Sequence, residues 1–91
     1  MNDAKMPLVW KSRKGEEEIL NLKQLLDILI NIEQEDIDET INNNLNNLIS
    51  WLEKEYPDKL IFTTRLKVES KEYTPQQIRE RLIRDLRISL K

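Results

Sequence analysis

Between Glu16 and Gln34 the apolar residues fall at helical spacing, and this constrains the fold more than any other feature of the chain. Placed at about 100° per residue, Ile28, Ile32, Leu25, Leu29, Leu22, Leu26, Ile19 and Ile30 cover an arc of roughly 200°. Lys23, Gln24, Asp27 and Asn31 fill most of the remainder. One neighbour covers much less than such an arc. The segment therefore reads as the central helix of the fold, or as a helix that also meets a second copy of the chain. Glu16, Glu17 and Glu18 in its first turn suit the positive end of a helix dipole. The polar interruptions at Asn21, Lys23, Gln24, Asp27 and Asn31 make it unfit to span a membrane.

The other elements are arranged around it. Leu8-Val9-Trp10, after Pro7, reads as a short strand with a polar exit through Lys11, Ser12, Arg13 and Lys14. Gly15, the only glycine, stands where that strand should give way to the helix. After a break at Gln34-Glu35-Asp36, with Asp36 as N-cap and Asp38 and Glu39 behind it, a second helix runs to about Tyr56 and is ended by Pro57. Its stripe of Ile37, Ile41, Leu45, Leu48, Ile49 and Leu52 spans about 120°, with Asn43, Asn46, Asn47, Ser50 and Lys54 opposite and Trp51 at the edge. Two helices with so short a connection predict a helical hairpin. The asparagine run from Asn42 to Asn47 is broken by Leu45 on the stripe, so it is not low-complexity.

From Leu60 to Glu69, Leu60, Phe62, Thr64, Leu66 and Val68 alternate with Ile61, Thr63, Arg65, Lys67 and Glu69, which predicts a second strand. Thr74-Pro75-Gln76-Gln77 is a capping box with proline at the first helical position. The helix it opens runs toward Leu90, burying Ile78, Leu82, Ile83, Leu86 and Leu90 and turning Arg81, Arg84, Arg87 and Lys91 outward. Arg79 falls inside the apolar arc, where a structural ion pair with an acid of the central helices is expected.

The predicted order is β-α-α-β-α. It describes one small α+β domain over residues 1–91, with residues 1–5 a flexible N-terminus and with the helical hairpin and C-terminal helix packed on a small antiparallel sheet. Two strands alone make a marginal sheet. Pairing equivalent strands across a two-fold axis would complete it, which together with the wide arc points to a homodimer.

Ninety-one residues suffice for one domain with a modest core. Charged residues make up 35 % of them, but the apolar ones are periodic, which argues against disorder throughout. Without cysteine there is no disulfide or thiol chemistry, and without histidine the commonest metal ligand and neutral-pH acid/base are missing. Met1 to Trp10 holds no apolar signal-peptide core, so the cytoplasm is expected. Charge is segregated. Residues 1–14 carry Lys5, Lys11, Arg13 and Lys14 against Asp3, residues 15–58 carry two lysines against twelve acids, and residues 59–91 carry nine basic groups against four acidic ones. A molecule with two unlike faces follows.

Pro57-Asp58 followed by Glu69-Ser70-Lys71 matches the letter pattern of metal-dependent nucleases, in which two acids hold Mg²⁺ and a lysine serves water. On a strand, however, Asp58 and Glu69 would lie on the order of 35 Å apart, at about 3.3 Å per residue. The acids Glu35, Asp36, Asp38 and Glu39 lack the spacing of an EF-hand and read as helix-cap groups. No serine–histidine set and no glycine-rich phosphate loop is present, so a non-enzymatic protein without a cofactor is expected.

Two functional readings remain. A protein–protein interaction or regulatory module would use apolar groups left over from a small core, namely Trp10, Trp51 and Ile88. A nucleic-acid-binding regulator would use Arg81, Arg84 and Arg87 with Lys11, Arg13, Lys14, Arg65 and Lys67, if these merge into one positive surface. The slightly acidic whole, with pI near 5.2, favours the first.

Overall fold

Residues 3–90 are described by a computed structural model, with the side chains of Leu60 and Ile61 left out. Met1, Asn2 and Lys91 lie outside the described residues. The chain first reverses at Arg13-Lys14. Strand β1 (Leu8–Ser12) pairs antiparallel with β2 (Gly15–Ile19), in register from Leu8 opposite Ile19 to Ser12 opposite Gly15. Gly15 takes a φ of +120°, a conformation that a side chain would strain, and this lets the reversal close. Ser12 Oγ accepts from the Lys14 N–H at 3.2 Å and donates to the Gly15 carbonyl at 3.3 Å.

Periodicity predicts a helix from Glu16, and here the structure differs. Residues 16–19 are strand, and helix α1 covers only Leu22–Ile30. The 200° arc combined two elements: Ile19 is buried from the strand, Leu22, Leu25 and Leu29 from the helix, and Ile30 is exposed. Asn21 caps α1 by accepting from the Gln24 N–H at 2.9 Å, while Gln24 Oε1 accepts from the Leu20 N–H at 2.7 Å. Asn31 ends the helix, its side-chain amide donating to the Asp27 carbonyl at 2.7 Å.

After a 3-10 turn at Gln34–Asp36 comes α2 (Ile37–Glu55), ended before Pro57 as expected. Asp36 occupies the N-cap position but makes no capping bond. A second 3-10 turn, Pro57–Lys59, leads into α3 (Leu60–Glu72) where a strand was predicted. Thr63, Leu66 and Glu69, at three-residue spacing, are buried, and Val68 is exposed. The alternating pattern therefore misled because two of the three buried positions are polar. Helix α4 (Pro75–Ser89) opens with the expected capping box, both bonds formed, and buries Ile78, Leu82 and Leu86.

The result is a small α+β domain with a two-stranded antiparallel sheet and four helices, in the order β-β-α-α-α-α. Helix α4 packs against α1, α2 and α3, whereas α1 and α2 nowhere approach within 8 Å between Cα atoms. The expected hairpin of the first two helices is thus opened by α4. The sheet rests on α2 through β1. From Asp3 onward the N-terminal segment is tied down: Asp3 accepts from Asn21, the Ala4 N–H donates to the Leu20 carbonyl, and the Lys5 N–H donates to Glu55. No described helix is long and apolar enough to cross a membrane.

Candidate docking site on the hairpin

The two edges of the sheet are unlike. Along β1, helix α2 supplies side chains to main-chain groups. Asn44 Oδ1 accepts from the Lys11 N–H at 2.8 Å, and its Nδ2 donates to the Lys11 carbonyl at 2.6 Å and to the Thr40 carbonyl at 2.7 Å. About two helix turns further on, Trp51 Nε1–H donates to the Met6 carbonyl at 2.8 Å, and about one turn beyond that Glu55 accepts from the Lys5 N–H at 2.6 Å. Helix α2 thus lies along this edge and takes the Lys11 groups of the strand.

The Lys11 bonds also fix the other edge. Because the main-chain groups of Lys11 point away from β2, Lys11 and Glu16 form a non-hydrogen-bonded pair, and so do Val9 and Glu18 two residues along. The N–H and C=O of Glu16 and Glu18 therefore point outward from β2. Residues Gly15 to Glu18 are all exposed, so nothing among the described residues covers them.

Beside this edge lies a groove of about 270 Å³ between the hairpin and the C-terminal half of α1. Trp10, Ile28 and Ile32 provide its apolar surface, and Glu17 and Asp27 its acidic wall. At the rim Arg13 meets Asp36 at 3.0 Å and Lys14 meets Glu33 at 4.0 Å. The Asp36 carboxylate, hydrogen-bonded to the guanidinium, raises the Arg13 pKa further. Glu33, Glu35 and Asp36 bring carboxylate oxygens within 4.8 Å of one another, but Arg13 and Lys14 already balance two of these charges.

The sequence-derived candidates fall differently from expectation. Trp10 is only 3 % exposed and Trp51 6 %, so both are core residues, and Trp10 reaches the groove only as part of its floor. Trp51 also meets Tyr56 edge-to-face at 5.3 Å. Ile88 is exposed and isolated. The basic residues form two separate groups, since the hairpin touches neither α3 nor α4. Most are already paired: Lys67 with Glu53 at 2.7 Å, Arg81 with Glu69 at 3.2 Å, and Arg65 and Arg84 with the same Asp85 at 3.8 and 3.5 Å. Arg81 also lies over the Tyr73 ring, 4.1 Å from its centroid. Among the described residues, Lys11 and Arg87 alone of this set have no carboxylate within 4.0 Å.

Asp58 and Glu69 are separated by helix instead of strand, on the order of 16 Å at about 1.5 Å per residue. Glu69 is committed to Arg81, so the two acids do not converge. Among the described residues Arg79 pairs with no acid. Its Nε–H donates to the Leu29 carbonyl at 2.7 Å and its terminal N–H to the Ile30 carbonyl at 3.2 Å, placing a cation at the negative end of α1.

A second cavity, of about 610 Å³, lies where the N-terminal segment meets the α2–α3 turn. Tyr56 is on its wall. The hydroxyl is buried near the Leu22 backbone, and burial, aided by Asp3, Glu55 and Asp58, pushes its pKa up.

Sequence reasoning missed Asn44. Its signal was its place: it stands three residues after Ile41 and four before Leu48, a polar group on the apolar stripe. Comparison with protein-family models, curated proteins and solved structures finds no match to this chain.

Proposed function

We propose that this chain is a non-enzymatic protein-interaction module that receives its partner on the hairpin side of the domain. One observation carries the reading: an uncovered strand edge stands beside a groove with an apolar floor and acidic walls. Such a site offers main-chain hydrogen bonds for affinity and a pocket for side-chain selection. Among the described residues the other exposed large apolar groups, Met6, Val9, Leu20, Ile30, Val68 and Ile88, line no cavity of this kind. Internal pairing of Arg65, Lys67, Arg81 and Arg84 weakens the nucleic-acid reading, because paired arginines release fewer counterions from a phosphate backbone. The features that called for a second copy are largely met within one chain. The wide arc resolves into a strand and a shorter helix, and the sheet rests on α2.

The test is selection from a random-peptide display library against the folded chain. Selected peptides should shift the amide signals of Glu17, Ile28 and Ile32 and should lose about ten-fold in affinity for Glu17→Arg, a charge reversal at an exposed position on the groove wall. Peptides that map to another face, or no enrichment at all, would overturn the reading. Binding of a short oligonucleotide at low salt, lost on replacing Arg87 and Arg84, would favour the nucleic-acid alternative instead.

A further inference from the structure

We propose that the uncovered edge of β2 accepts an extended, basic segment of a partner protein as a third strand. The inference rests on the interaction-module reading and names the kind of partner.

Hydrogen-bonding geometry comes first. On the β1 side Asn44 takes both main-chain groups of Lys11 and helix α2 packs along the strand, so an incoming strand there would meet the helix. On β2 the main-chain groups of Glu16 and Glu18 face outward at the alternate spacing that an added strand requires. An open edge of this kind is the usual receptor for strand addition.

Charge selects the occupant. Glu16, Glu17 and Glu18 make no ion pair among the described residues, and even Lys11, directly across from Glu16, has its ammonium beyond 4.0 Å. A second copy pairing β2 with β2 would set this triplet against itself, and like charges across strands are destabilising. A basic strand reverses that sign. Side chains alternate in facing, so lysines or arginines opposite Glu16 and Glu18 would lie on the solvent face of the sheet. The residue between them, opposite Glu17, would turn to the side of Trp10 and the groove. The occupant is therefore an extended segment alternating basic and apolar residues.

The probe is a short synthetic peptide of alternating lysine and valine. It is compared with its glutamate–valine counterpart and with a copy N-methylated at alternate residues. Amide exchange and chemical shifts of the intact chain are followed by NMR. The lysine–valine peptide should slow exchange at the Glu16 and Glu18 amides. N-methylation should weaken binding about ten-fold or more through lost main-chain bonds. The double variant Glu16→Gln with Glu18→Gln should weaken it about three- to ten-fold and flatten its salt dependence. Equal binding of the N-methylated copy, equal binding of the glutamate peptide, or no protection at Glu16 and Glu18 would each overturn the proposal. So would protection that grows with protein concentration without peptide, which would make a second copy the occupant. Library peptides that bind the groove yet leave Glu16 and Glu18 unprotected would defeat this inference alone, whereas failure of every peptide would remove the interaction-module reading with it.

Discussion

Strand β1 and the segment before it are fastened to α2 by bonds to main-chain groups as well as by buried Leu8 and Trp10, whereas α3 is fastened to α4 through side chains. At the first seam Asn44, Trp51 and Glu55 each satisfy a carbonyl or N–H of residues 5–11. At the second, Leu66 belongs to the same buried core as Ile78, Leu82 and Leu86, and the ion pairs Glu69–Arg81 and Arg65–Asp85 join the two helices. A seam made of apolar area is redundant, because many atoms each contribute a little. A seam that relies on a few part-buried polar bonds is less so, because each unmet group carries a desolvation cost that its neighbours do not share. The helix pair should therefore dominate stability, while the hairpin should be the region that single polar changes release.

The largest effect is expected from Leu82→Ala. It removes a buried leucine from α4, and urea unfolding should show a loss of about 2–5 kcal/mol. Asn44→Leu comes next. It keeps the branched shape and the number of heavy atoms but leaves the Lys11 N–H and carbonyl without partners, so a loss of about 1–3 kcal/mol is expected, with faster exchange at the Lys11 amide and little change in α3 and α4. Equal loosening of both regions would break the contrast between the seams.

These two positions also show what the sequence made legible. Leu82 belongs to a stripe that apolar spacing reveals, and Thr74-Pro75-Gln76-Gln77 announces the helix that carries it, so α4 could be read directly. Asn44 could not be read by counting apolar residues, although its place on the stripe demanded a partner. Thr63 and Glu69 misled in the same way. They are buried polar positions of α3, and without them Leu60 to Glu69 shows only its period of two. The hairpin was hidden by Glu16–Glu18, which suit a helix start and a solvent-facing strand edge alike. For the same reason the candidate site was only partly legible: Trp10 was singled out, but as a surface contact and not as the buried floor of a groove.

Smaller effects sharpen the hairpin side of the comparison. Gly15→Ala meets no atom within 4 Å, so its cost of about 1–2 kcal/mol should come from the positive φ alone. Thermal unfolding should show it, and the turn residues Arg13 and Lys14 should shift in NMR spectra. The smallest effect is expected at Tyr56, beside the point where the N-terminal segment meets α2. Its hydroxyl holds its proton more tightly when folded than when unfolded. The folded chain therefore keeps a proton that the unfolded chain loses, and stability declines as pH rises past about 10 toward the folded pKa. Tyr56→Phe should leave neutral-pH stability unchanged or raise it by up to about 1 kcal/mol, and should flatten that alkaline decline.

The central claim is that α2 closes one edge of the hairpin and leaves the other free. Residue-resolved amide exchange on the isolated chain at low concentration tests it directly. The account expects the Lys11 amide to be protected and the Glu16 and Glu18 amides to exchange nearly as fast as in an unstructured peptide. Protected Glu16 and Glu18, or an unprotected Lys11, would contradict it.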